Sequence, residues 1–228
     1  MNNISKIKNL SLWVFIVPLV TINLCLFIVI FLQEYIPHGV GIGPTFPYID
    51  GGTSISRTAR NYPTWLIFKP GMIITAFMLI RYWSLNKKLL TELNYENKNF
   101  INLFFYFGVL SAFFLIFHSI FLGIKFDNEF YKLFRKLILL LFIIFEICAQ
   151  SFLVVSLYKN LNKISGFINK KMLNLKAILV STLAIVTVVC APIVAQEGNV
   201  QFKHALEWDY FLGVIFFYCL TFLMWKKE

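Results

Sequence analysis

The chain has 228 residues, 59% of them hydrophobic and 18% aromatic, with only 14% charged and a formal net charge of +10. A soluble domain of this length runs nearer to about half apolar and a quarter charged, and a mean hydropathy of +0.74 lies outside that class. The apolar residues gather into runs of about 20, the length that crosses a hydrocarbon core of roughly 30 Å. The composition is that of an integral membrane protein.

Residues 1–9 form a short polar start with Lys6 and Lys8, and residues 10–32 are the first apolar run. This run is too long for a signal peptide and lacks a small-x-small cleavage site, so it reads as a retained span. Pro18 and Asn23 inside it mark a kink or an inward polar spot. Residues 33–63 are a polar loop whose second half, Asp50 to Arg60, concentrates Gly51, Gly52, Thr53, Ser54, Ser56 and Arg57. The remaining spans are expected at 64–83, 99–124, 137–158, 177–195 and 204–225, with lysine-rich connections at 84–98 and 159–176. No repeat or low-complexity linker divides the chain. The expected fold is all-α, a single domain built as a six-helix transmembrane bundle.

The basic residues set the expected orientation. With the N-terminus inside, the cytoplasmic segments hold 13 of the 21 basic residues against three acids, Glu92, Glu96 and Glu228. On the other side eight basic residues are nearly balanced by acids. Both termini are therefore expected in the cytoplasm. The positive charge is a topology signal and a contact for anionic lipid, and nucleic acid is not an expected partner. All four cysteines lie in apolar runs without metal-ligand or disulfide spacing, so they read as small polarizable hydrophobes.

An ionisable group among lipid tails costs at least about 2.5 kcal/mol and needs a partner, a cavity or an escape to the interface. Lys69 and His118 each fall roughly 8–9 Å from the outer end of their spans. His204 and Glu207 share a face at the outer mouth of the sixth span, and Glu146 and Gln150 share one near the middle of the fourth. An outer-leaflet polar pocket open to the Asp50–Arg60 loop is the expectation. Its headgroup ligands would be Asp50, Arg57, Arg60, Lys69, His118, His204 and Glu207, with Glu146 and Gln150 as buried polar groups. Each has a plainer explanation: Lys69 snorkels, His118 packs between helices, His204 rests at the interface, and Glu146 is protonated or paired across helices. The three histidines, His38, His118 and His204, all fall on the outer side, but without metal-ligand spacing. The sequence holds no nucleophile elbow, phosphate loop or haem signature, so no metal or other cofactor is expected.

Pro47-Tyr48-Ile49-Asp50, then Gly52-Thr53, the span opening at Ile67-Phe68 and its end at Arg81-Tyr82 resemble the FRAG/DRAM/Sfk membrane family. His204-Ala205-Leu206-Glu207-Trp208 resembles that family's opening of its sixth helix. Two departures stand out: Ile49 precedes the acid where the DRAM branch has serine, and Ser56-Arg57-Thr58 replaces its prolines. Ser54-Ile55-Ser56 also aligns with the Ser-Ile-Ser of the GPI-lipid-remodelling branch. The resemblance implies six helices with cytoplasmic termini and a role with lipids. Its branches remodel GPI-anchor lipid tails (the Cwh-type N-terminal part among them), modulate autophagy at lysosomes, or affect phosphoinositide signalling and lipid distribution. The expected function is binding or remodelling of membrane lipids. The rivals are an acyltransferase or hydrolase with a histidine base oriented by Glu207, and a scaffold whose polar residues only join helices. The Asn-, Lys-, Ile- and Phe-rich composition points to an AT-rich genome. The membrane is then the plasma membrane if the source is bacterial and an endomembrane if it is eukaryotic.

Overall fold

A computed structural model describes residues 2–32, 42–93, 98–124, 129–196 and 198–226. His38 lies outside them. Long helices form because unbroken apolar sequence in a membrane must satisfy every backbone group internally. Six such helices are long and apolar enough to cross a membrane. They are α1 (Asn2–Phe31), α4 (Trp65–Glu92), α5 (Lys98–Phe121), α6 (Glu129–Lys159), α8 (Lys170–Ala195) and α9 (Val200–Met224). Three single-turn helices, α2 (Pro47–Asp50), α3 (Ile55–Thr58) and α7 (Leu161–Ile164), punctuate the connections. Among the described residues there is no strand, only an isolated bridge between Ile168 and Trp225.

The long helices outrun the apolar stretches that announce them. Helix α1 starts at Asn2 rather than residue 10, α6 at Glu129 rather than 137, and α8 at Lys170 rather than 177. Hydrogen bonding continues a helix into the headgroup zone, where polar side chains no longer oppose it. Two residues expected in loops are therefore helical, Arg135 in α6 and Lys176 in α8. Lys176 is fully buried.

The six long helices pack as a ring in chain order, α1 on α4, α4 on α5, α5 on α6, α6 on α8, α8 on α9 and α9 back on α1. Close approach comes from small residues, as expected where lipid supplies no hydrophobic drive between helices. A Cβ on Gly108 of α5 would sit 2.4 Å from the Trp83 indole of α4. Tyr82, Trp83, Phe104, Trp208, Phe217 and Tyr218 fill the centre, each under 2% exposed. Phe27, Phe77, Phe113 and Ile185 face outward, each at least half exposed.

The two ends of the ring differ. At the end holding both chain termini, the Lys226 amide donates to Phe167 O at 2.9 Å and the Asn169 amide to Met224 O at 2.8 Å. Lys8 Nζ donates to Trp225 O at 2.7 Å, tying α1 to the same strap. At the opposite end, α2 and α3 lie across the start of α9. That loop end carries most of the polar residues singled out from the sequence.

Candidate functional site

The loop between α1 and α4 is built around Asp50. Its carboxylate accepts from Thr45 Oγ1 at 2.5 Å, from the Phe46 amide at 2.8 Å and from the Gly52 amide at 2.8 Å. These donors hold the Asp50 carboxyl below its ordinary value, the Thr45 hydroxyl most of all. Gly51 then turns the chain with φ +60°, and a Cβ there would lie 1.8 Å from Gln201 O. Only glycine fits that turn against α9. Asp50 is thus the knot of the loop, and its oxygens are occupied by loop donors. A shallow recess of about 230 Å³ beside it, lined by Ile42, Pro44, Thr45, Gly52 and Gln201, offers no other charge.

The loop is fastened to the bundle at four points. His204 Nδ1 meets Gly51 O at 3.0 Å, Trp208 Nε1 donates to Thr53 O at 2.8 Å, and the Ser56 amide donates to Glu207 Oε1 at 3.4 Å. Tyr48 stacks edge-on against Trp208 with ring centres 4.9 Å apart, and its hydroxyl donates to Asn23 Oδ1 at 3.1 Å. Asn23 is the inward polar spot in α1 that the sequence marked, and this is its use.

Four of the seven pocket residues therefore have structural tasks in full view. Asp50 and His204 hold the loop and its seat. Lys69, half-buried, donates to Ile120 O at 3.1 Å and lies over the Trp65 ring at 5.4 Å. It caps the C-terminal end of α5, where the helix dipole favours a cation. Glu207 fixes α3 and also faces Arg60 electrostatically. His204 and Glu207 make no hydrogen bond to each other, and Glu207 meets the Ser56 hydroxyl as well as its amide. Among them no three His, Cys, Asp or Glu side chains are grouped as metal ligands would be.

Arg57, Arg60 and His118 are the other three, and Arg57 lies on α3, where it acts electrostatically on Arg60. The backbone of Arg60 lies against the α5–α6 connection, where a Cβ on Gly123 would approach Arg60 O to 2.7 Å. Its Nε is buried and finds no hydrogen-bond partner among the described residues. Burial pushes the guanidinium below its ordinary value, Arg135 and Arg57 add to the effect, and Glu207 opposes it. Arg135, on the first turns of α6, also acts electrostatically on His118. Its own Nε is likewise buried and unpartnered among the described residues, with the guanidinium over Tyr131 at 5.6 Å. The sequence reading missed Arg135. It sits three, seven and eleven residues before Ile138, Phe142 and Glu146, on one helical stripe, and that spacing was the available signal.

A second polar cluster lies in the core. Glu146 accepts from Ser111 Oγ at 2.5 Å, from Gln150 Nε2 at 3.0 Å and from the Tyr218 hydroxyl. Gln150 Nε2 also reaches Val214 O at 3.2 Å. Nearby, Lys176 Nζ donates to Thr221 Oγ1 at 2.8 Å and lies 3.9 Å from the Phe217 ring centre, while Tyr82 OH pairs with Thr221 Oγ1 at 3.2 Å. Every side chain here except Val214 and Ile-type neighbours is at most 1% exposed. Donors from α5, α6 and α9 converge on one carboxylate, which joins three helices at the bundle centre.

The Frag1/DRAM/Sfk1/Cwh43P N-terminal domain model matches residues 7–226. The chain belongs to this family. The match includes both the Pro47–Thr53 stretch and the His204–Trp208 stretch, so the residues that carry the resemblance are those that knot the loop and seat it. No curated protein and no solved structure matches the chain.

Proposed function

We propose that this family member binds membrane lipids by their headgroups at the loop end of the bundle and holds them for remodelling or redistribution. The observation that carries the reading is Arg60: a cation at the rim of an apolar bundle whose Nε is buried without a hydrogen-bond partner among the described residues. A buried polar group left unpaired costs about 1–3 kcal/mol, and a ligand at the rim relieves that cost. Arg57 acts electrostatically on Arg60, and Lys69 and His118 lie at the same end of the bundle, near the start of α4 and on the last turn of α5.

The site lies within about two helical turns of the ends of α4, α5, α6 and α9, which is headgroup depth. With both termini cytoplasmic, as the basic residues indicate, it serves the outer leaflet. Binding is favoured over catalysis because a general base needs its proton donor within hydrogen-bond reach. His204 Nδ1 meets Gly51 O and Glu207 meets Ser56, so the histidine and the carboxylate do not pair as base and orienter.

Native mass spectrometry in mild detergent, with identification of retained lipid, tests the reading. A specific lipid is expected on the wild-type protein and is expected to be lost from the Arg57→Ala/Arg60→Ala double variant. An unchanged lipid profile in that variant, or one matching the bulk membrane in the wild type, rejects the headgroup site.

A further inference from the structure

We infer that the headgroup held at the loop end carries a phosphate, and that Arg135 of α6 is the second arm of its seat opposite Arg60. The inference rests on the headgroup reading above and names the ligand chemistry of that site. It follows from three observations on the molecule.

First, Arg60 and Arg135 come from separate elements, the α3–α4 connection and the start of α6, yet lie close enough to repel each other electrostatically. Like charges placed together at the edge of a low-dielectric bundle are unfavourable unless an anion neutralises them. Second, each presents a buried Nε with no acceptor among the described residues. The carbonyls that end α5 do not meet this need, because Lys69 Nζ takes Ile120 O at 3.1 Å, and Tyr131 OH and the Ile124 amide take Phe121 O at 2.9 and 3.4 Å. Third, the described acids Asp50 and Glu207 are already engaged. Asp50 is closed on by its own loop, and Glu207 acts on Arg60 while receiving the Ser56 amide.

Two guanidinium groups within electrostatic reach of one another match the oxygens of a phosphate, each offering a fork of donors in fixed geometry. A neutral sugar headgroup supplies hydroxyls and leaves both charges uncompensated. Arg135 lies only six residues after the start of α6 at Glu129, so its side chain stands at the depth of lipid phosphates, about 9 Å along the helix.

The test is thermal unfolding of the full-length protein in mild detergent, titrated with four probes. They are phosphatidic acid, phosphatidylcholine, a monoglucosyl diacylglycerol and glycerol 3-phosphate. Phosphatidic acid is expected to raise the melting temperature saturably. Arg135→Gln and Arg60→Gln are each expected to weaken its apparent affinity about 10-fold or more. Arg135→Lys, which keeps the charge and loses the fork, is expected to fall between. The glucosyl lipid is expected to give no saturable shift, and phosphatidylcholine a weaker one. If Arg135→Gln and Arg135→Lys both bind phosphatidic acid like the wild type, or the glucosyl lipid binds as tightly, the phosphate seat is rejected while the headgroup site stands. Glutamine variants that melt early without lipid yet keep the full phosphatidic acid shift also reject it, since an acid of the protein is then the arginines' partner. Glycerol 3-phosphate binding as tightly as phosphatidic acid keeps the phosphate seat and rejects the lipid reading. No response to any probe rejects both.

Discussion

At the scale of single residues, two carboxylates of this chain do opposite things with the same chemistry. Asp50 is exposed and held ionised by three donors of its own loop. Its folded-state value lies below the ordinary 3.8, so its contribution to loop stability is fully present above 3.8 and is lost as the pH falls through the lowered value. Trp208, whose indole donates to Thr53 O, reports the docking. Its fluorescence in detergent is expected to show a step below 3.8. In Asp50→Asn the loop is expected to be cut faster by protease at neutral pH and to lose this acid step. An acid step in Asp50→Asn as large as in the wild type contradicts the assignment. Glu146, by contrast, is fully buried and accepts from Ser111, Gln150 and Tyr218. Glu146→Gln turns one acceptor oxygen into a donor that faces other donors. It is expected to lower stability by about 1–3 kcal/mol, read as an earlier thermal melt, with the retained-lipid profile unchanged. A variant that melts like the wild type denies Glu146 its joining role.

At the scale of elements, the six runs of apolar sequence located the six long helices because length and hydropathy are what a membrane selects. The ends were less visible. Lys170 to Lys176 and Glu129 to Lys136 read as charged connections, whereas both are the first turns of helices. Charge tells that a segment reaches the headgroup zone; it does not tell which way a side chain turns once a helix carries it there. Lys176 shows this: it lies on the face of Leu173, Val180 and Leu183, all buried, and goes inward with them. The loop site was legible where one residue type has few uses, as with Gly51 in its left-handed turn or His204 and Glu207 on one face of α9. Asp50 was legible as important and misplaced in role, because an acid that binds a ligand and one that ties its own loop look alike in sequence. Arg135 and the partners of Glu146 needed the packing of α5, α6 and α9 against one another, which no single run of sequence contains.

At the scale of the whole molecule, the ring of helices closes only if the first and last meet. Helix α1 packs against both α4 and α9. Asn3 Nδ2 reaches the Glu92 carboxylate at 2.9 Å, and Lys8 Nζ holds Trp225 O at 2.7 Å. Six crossings return the chain to the side where it began, so the start of α1 and the end of α9 share one face with the end of α4, α7 and the start of α8. That face holds Lys6, Lys8, Lys87, Lys88, Lys163 and Lys170 with Glu92 as its described acid. The opposite face mixes its arginines with Asp50, Glu207 and Asp209. Basic residues in short segments are retained on the cytoplasmic side, and the ring gives both termini the same fate. A green fluorescent protein fused to the C-terminus is therefore expected to fluoresce, and alkaline phosphatase fused there is expected to be inactive. The same phosphatase inserted at Ser54, in the loop that carries the headgroup site, is expected to be active. The reverse pattern turns the bundle over, moves the arginines to the inner leaflet, and makes the lipid they meet a cytoplasmic one.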